Sequence, residues 1–217
     1  KDSRQTHIQQ ADPEKIGRGL IQAAYEMVDG NGGIAVLSAT AQATNQNLWI
    51  EWMKKELEEN PEKYANTPLV KVAYGDDDPT KSTSETQAQA LLTDSSIKVI
   101  IAPTTVGMLA AGKVLQDKQS DVKLTGLGLP SEMAPFIEDG TCPWMYLWNP
   151  VDIGYLSGYT MDALVKGTIT GDVGGSFNAG DLGEKKITEA ADGGTEVMLG
   201  DPFKFDTENI AEWKEVY

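Results

Sequence analysis

Short apolar runs at residues 34–38, 69–74, 97–102, 122–127 and 144–148 alternate with longer stretches of helical periodicity. Each run is too short for a helix and is bounded by Gly, Pro, Asn or Asp, so each reads as a strand. Strands separated by helices cannot be joined by tight turns. They must lie parallel, which predicts an α/β fold built on a doubly wound parallel sheet. The first predicted helix opens at Asp12 and Pro13, a capping residue followed by the residue that fits the first helical position. Ile16, Leu20, Ala23, Ala24 and Met27 keep its spacing, and the glycines from Gly30 stop it. Further helices are predicted at about 47–59, ended by Asn60 and Pro61, at about 80–92, over 106–117, from Ser131, and over 151–166 behind Asn149 and Pro150.

The loops 39–47, 103–105 and 128–130 each follow a predicted parallel strand, so the fold gathers them at one sheet edge. That edge is where open α/β sheets bind ligands. The loops are rich in Thr, Asn, Gln, Pro and Gly. Asn45, Gln46 and Asn47 present amide donors and acceptors, an inventory suited to hydroxyl groups; the same composition also makes ordinary turns. Among the tryptophans, Trp52 reads as a packing residue. Trp148, beside Asn149 and Pro150, is the better candidate for a pocket wall.

Several function classes are excluded. The net charge is −15, with no Lys/Arg cluster of the kind nucleic acid requires, so no nucleic-acid partner is expected. A single cysteine, Cys142, and a single histidine, His7, leave no zinc-ligand spacing and remove most catalytic-triad schemes. Asp76, Asp77 and Asp78 lack the spacing of a calcium loop and read as a helix start before Pro79. No nucleophile elbow, dinucleotide fingerprint or phosphate loop follows a strand, so neither a cofactor nor a metal is expected and an enzyme is disfavoured. No apolar run approaches a membrane span. No signal peptide is legible at Lys1, which leaves the compartment open because secreted chains are often trimmed.

The ends of the chain carry weaker patterns. Residues 1–10 are polar and read as extended. Residues 167–195 are rich in Gly, Thr and Asp with little periodicity. A short strand over 196–199, an aromatic pair at Phe203 and Phe205, and a helical turn over 207–214 close the chain.

An ordered series of motifs carries a family resemblance: ATAQATNQNLWI at 39–50, IIAPTT at 100–105, GLGLPSEM at 126–133 and LWNPxxxGYL at 147–156. Together they resemble the periplasmic solute-binding proteins of ABC sugar importers (type I periplasmic-binding fold), closest to the rhamnose-binding branch and its autoinducer-binding neighbour. The resemblance implies two lobes joined by three chain crossings, with sugar trapped by hinge closure. It implies that residues 1–147 form the second, carboxyl-terminal lobe, and that 148–195 hold the hinge and a remnant of an otherwise missing first lobe. Residues 196–217 then return to pack on the second lobe, and Lys1 falls just after the first crossing. Helix 151–166 resembles one that packs on the first lobe; left uncovered, it implies self-association.

By position, the resemblance assigns substrate binding to Asn45 and Gln46, where autoinducer binders carry an Asp-Gln pair, and to Pro103, Thr105, Leu129, Trp148 and Asn149. It implies no catalytic residue and no cofactor. The function expected is capture of a simple, rhamnose-like sugar outside the cytoplasm and delivery to a membrane permease. The location is periplasmic, or tethered to the cell surface in a Gram-positive host. The alternatives are an autoinducer-binding protein and the effector-binding core of a sugar-responsive transcription regulator.

Overall fold

The computed structural model describes residues 2–217. The chain divides into two compact units and passes between them after Asp12, after Leu147 and after Pro202. The larger unit comprises Pro13–Leu147 and Phe203–Tyr217; the smaller comprises the segment ending at Asp12 together with Trp148–Pro202.

In chain order the strands are β1 (His7–Gln9), β2 (Gly33–Ser38), β3 (Leu69–Tyr74), β4 (Ile97–Ala102), β5 (Lys123–Gly126), β6 (Trp144–Leu147), β7 (Ser176–Asn178), β8 (Glu184–Glu189), β9 (Thr195–Met198) and β10 (Phe203–Asp206). The helices are α1 (Pro13–Met27), α2 (Thr44–Glu59), α3 (Thr83–Leu91), α4 (Thr105–Asp117), α5 (Pro130–Glu138), α6 (Pro150–Val165) and α7 (Ile210–Trp213).

The larger unit is built on a parallel sheet of order β3-β2-β4-β5. A bridge between Leu127 and Tyr146 continues it parallel toward β6, which pairs antiparallel with β10. β2 is buried along its whole length, as a central strand covered on both faces must be. Ile34, Leu37, Ile100, Ile101 and Leu124 fill the core. Helix α1 packs on α2, and α3 on α4, so the helices pair off in the manner of a doubly wound sheet. Cys142 is fully buried, and burial pushes its thiol pKa up, which leaves it in the inert neutral form.

The pairing of α1 with α2 is fixed by a charged clasp. Arg18 Nη1 donates to Glu56 Oε2 at 2.8 Å, Nε donates to Glu14 at 2.8 Å, and Nη2 lies 2.7 Å from Glu59. The other Glu56 oxygen accepts from Tyr64 Oη at 2.8 Å and from Gln22 at 3.2 Å. The guanidinium also stands 5.3 Å from the Trp52 ring centroid, so Trp52 is a packing residue, as expected. Burial alone would raise the Glu56 carboxyl, but the donors Arg18, Tyr64 and Gln22 outweigh it and hold the pKa below the usual carboxylate range.

The smaller unit carries a sheet of order β1-β9-β8-β7, in which β1 and β9 are parallel and the other pairs antiparallel. Leu156, Ala163, Ile169, Phe177, Ile187 and Val197 form its core. The expected domain boundaries shift here. Residues up to Asp12 belong with this unit because β1 pairs with β9, Arg4 grips Asp192 at 2.9 Å, and Thr195 Oγ1 donates to the Gln5 carbonyl at 3.1 Å. For the same reason 196–202 stay in this unit, and only Phe203–Tyr217 return to the larger one. Strands β7 and β8 fall in the stretch 167–195 that shows little sequence periodicity. The first crossing lies at Asp12 and Pro13, not just before Lys1.

Glu56 supplies a pH test of the clasp. A depressed folded-state pKa stabilises the fold above the unfolded value and loses that contribution as pH falls through the folded one. Arg18→Met should lower stability at neutral pH by about 3 kcal/mol, because it strands a largely buried carboxylate. In urea unfolding followed from neutral pH to about pH 4, the gap to the wild type should shrink as Glu56 takes up its proton. A gap independent of pH would contradict this account of the clasp.

Candidate functional site

The order β3-β2-β4-β5 contains a reversal. From β2 the chain steps to β3 on one side, then returns across to β4 on the other. The loops that leave β2 and β4 therefore diverge, and a crevice opens between them at the carboxyl ends of the strands. Residues 39–43 leave β2 and lead into α2, and Pro103 and Thr104 leave β4 and lead into α4.

Helix α2 begins at Thr44, earlier than its expected start near residue 47. The Asn47 amide N–H bonds the Ala43 carbonyl at 3.0 Å, and the Asn47 side chain holds the Ala41 carbonyl at 3.0 Å. Asn45 and Gln46 thus sit on the first helical turn, a stiffer support than the predicted loop. Asn45 is exposed, and its side-chain amide makes no hydrogen bond among the described residues. Gln46 is half-buried and reaches across the reversal, with Nε2 3.5 Å from the Pro103 carbonyl.

Pro103 is buried, and Thr105, half-buried, is the first residue of α4. Leu129, half-buried in an extended conformation, occupies the cap position of α5 beyond β5. Asn45, Gln46, Pro103, Thr105 and Leu129 therefore all lie at one sheet edge of the larger unit. Gly126, at the end of β5, keeps that edge tight. A Cβ there would stand 1.9 Å from the Ala102 carbonyl oxygen, so only glycine lets β4 and β5 run together up to the Pro103 loop.

Trp148 and Asn149 belong to the smaller unit. Asn149 caps α6: its Oδ1 accepts from the Val151 amide at 2.9 Å, which commits that oxygen to the helix. Trp148 is half-buried.

The loop 75–82 after β3 reaches the same edge, a contribution that sequence reasoning assigned only to a helix start. The Gly75 amide bonds the Ser38 carbonyl at 2.9 Å, which ties this loop to the end of β2. Thr104 Oγ1 donates to Asp77 Oδ1 at 2.7 Å, which ties it to the loop after β4. Ser38 itself is fully buried, and its hydroxyl has no hydrogen-bond partner among the described residues.

No group of three His, Cys, Asp or Glu side chains among the described residues is placed to hold a metal ion. No helix among them is long and apolar enough to cross a membrane. What the sheet edge presents is a set of amides, hydroxyls and backbone carbonyls, with Asp77 the carboxylate bonded across to the loop after β4. Such a set exchanges hydrogen bonds with a polyhydroxylated molecule.

Known proteins match this arrangement. A crystal structure of an ABC transporter solute-binding protein from Clostridium phytofermentas with bound L-rhamnose is 50% identical, with a TM-score of 0.91 over 100% of this chain and 70% of that one. A sugar ABC transporter structure from Actinomyces odontolyticus is 39% identical, with a TM-score of 0.83 over 98% of this chain and 67% of that one. LsrB from Clostridium saccharobutylicum in complex with AI-2 shares the fold at 19% identity, with a TM-score of 0.81 over 98% of this chain and 71% of that one. The model of the periplasmic binding protein domain matches residues 1–169. With the family model spanning most of its length and half its residues shared with a solved member, the chain belongs to the periplasmic-binding-protein family of ABC sugar-transporter solute-binding proteins.

Proposed function

We propose that this protein captures a simple sugar of the rhamnose kind outside the cytoplasm and delivers it to the permease of an ABC importer. The observation that carries the reading is the pair Asn45 and Gln46 at the sheet reversal. Asn45 offers an unpaired amide, and Gln46 is steadied at the Pro103 carbonyl. The rhamnose-bound relative at 50% identity supports the choice of sugar.

Binding of this kind needs no bond chemistry. Amides on the α2 turn exchange hydrogen bonds with ring hydroxyls, and Pro103 and Thr105 present backbone and a small side chain. Leu129 offers an apolar edge for a C–H face; Trp148 and Asn149 are assigned by family resemblance in position alone. Epimers are told apart because a misplaced hydroxyl leaves a desolvated amide without a partner. Release to the permease follows from a difference in sugar affinity between the protein's states. The location is periplasmic, or the outer cell surface where the host has no outer membrane, and the protein acts without catalysis.

Self-association through α6 is part of the same reading. Tyr155 is 61%, Met161 67% and Val165 83% exposed on a helix whose other face holds the core of its unit. An apolar helix face of this size favours association. Sedimentation at increasing concentration should show a reversible dimer that Tyr155→Glu abolishes; a strict monomer at high concentration would remove this element of the reading.

Calorimetric titration with L-rhamnose, related deoxyhexoses and the furanosyl autoinducer tests the function. One deoxyhexose should bind with micromolar or tighter affinity, and Asn45→Ala should weaken it by about 1–3 kcal/mol. Binding of the autoinducer alone would replace the sugar reading, and unchanged affinity in Asn45→Ala would remove Asn45 from the site.

A further inference from the structure

The three adjacent aspartates after β3 are not equivalent. Asp76 is spent on its own loop: Oδ1 accepts from the Asp78 amide at 3.0 Å and Oδ2 meets Lys81 Nζ at 3.0 Å. Asp78 is spent in the same way, with Oδ1 accepting from the Thr80 amide at 3.0 Å and from the Thr80 hydroxyl at 2.6 Å. Asp77 turns away from that loop. Its one hydrogen bond among the described residues comes from Thr104, 27 residues away on the loop after β4. Oδ1 takes that bond and Oδ2 accepts none.

The support beneath Asp77 is rigid. Ser84, 1% exposed on α3, accepts from the Asp76 amide and donates to the Asp76 carbonyl, both at 3.0 Å. Gly75 makes room for that contact, since a Cβ there would stand 2.3 Å from Ser84 Oγ. Thr104, for its part, precedes α4 but makes no capping bond; its hydroxyl serves Asp77 instead. The Asp77 carboxylate, bonded to Thr104 next to Pro103, is therefore held between the loops leaving β3 and β4, at the same sheet edge as Asn45 and Gln46.

We propose that Asp77 is a further sugar-binding residue, its free oxygen accepting a hydrogen bond from a ring hydroxyl while Thr104 anchors the other oxygen. The assignment rests on the sugar-binding reading above. A carboxylate only accepts, so it demands a hydroxyl hydrogen at one place on the ring, and a charge-assisted bond of this kind is stronger than one to an amide. Asp77 thereby adds a selection that Asn45 and Gln46, which both donate and accept, do not impose.

Titration of the wild type, Asp77→Asn, Asp77→Ala and Thr104→Val with the sugar that binds best, and with its monodeoxy analogues, tests the assignment. Asp77→Asn and Asp77→Ala should each weaken binding about tenfold or more, and Thr104→Val less than about threefold. One monodeoxy analogue should bind the wild type weakly, yet Asp77→Ala should no longer distinguish it from the parent sugar, the signature of a direct partner. Thermal melts identify any variant that has lost its fold, and if Asp77→Ala is one, Asp77→Asn, the same shape without the charge, carries the comparison. If sugar binds the wild type and both Asp77 variants equally, the assignment falls while the sugar reading stands. If Thr104→Val loses as much as Asp77→Ala, Asp77 only positions Thr104 and the contact is refuted. If no sugar binds the wild type, the sugar reading itself falls, and the assignment with it.

Discussion

The pairing of β2 with β4 is the constraint from which the site follows. β2 lies between the strand that follows it in sequence, β3, and the strand that follows β3, so its chain exits toward one side while β4 exits toward the other. A parallel sheet wound both ways has one such reversal, and its carboxyl edge is the one place where neighbouring loops part instead of packing over each other. The buried run of β2 and the clasp of Arg18 on Glu56 serve this point: they fix the central strand and the helix pair α1 and α2 that carry Asn45 and Gln46. Gln46 reaching for the Pro103 carbonyl spans the reversal.

Electrostatics divides between contacts that hold elements together and groups at the sheet edge. Charged contacts such as Arg18 with Glu56 and Arg4 with Asp192 hold elements together. At the sheet edge the residues assigned to sugar binding by position are uncharged; the charged groups there lie on the loop after β3, where Asp76 and Asp78 pair with Lys81 and Asp77 bonds Thr104. An importer component must release its cargo, and neutral hydrogen bonds of modest net strength suit capture followed by release better than a lattice of ion pairs. The net charge of −15 favours solubility.

Much of the architecture was legible because central strands of a doubly wound sheet are predominantly apolar, broken in β4 only by Lys98. The runs at 34–38 and 97–102 announce β2 and β4 for that reason. Strands β7 and β8 were invisible on the same criterion: each buries a single residue, Phe177 or Ile187, among exposed polar neighbours. The early start of α2 escaped because Ala43 offers no side-chain cap, so Thr44, Asn45 and Gln46 look like loop until the backbone bond from Asn47 to Ala43 is seen. The domain boundary at Asp12 depends on the pairing of β1 with β9, a contact between distant parts of the chain that no local pattern records. Asp77 was passed over for a related reason. Its neighbours read in the sequence as an ordinary helix start, although α3 begins only at Thr83, and only Thr104, far along the chain, distinguishes it.

The central claim, that the β2–β4 reversal forms a sugar-binding surface, is tested most directly by mapping amide chemical shifts of the isotope-labelled protein during titration with L-rhamnose. Saturable shifts confined to residues 39–47, 75–78, 103–106 and 127–130 of the larger unit, with any further shifts at Trp148 and Asn149, are the predicted result. Saturable shifts that leave those loops unmoved and gather at another surface would contradict the account.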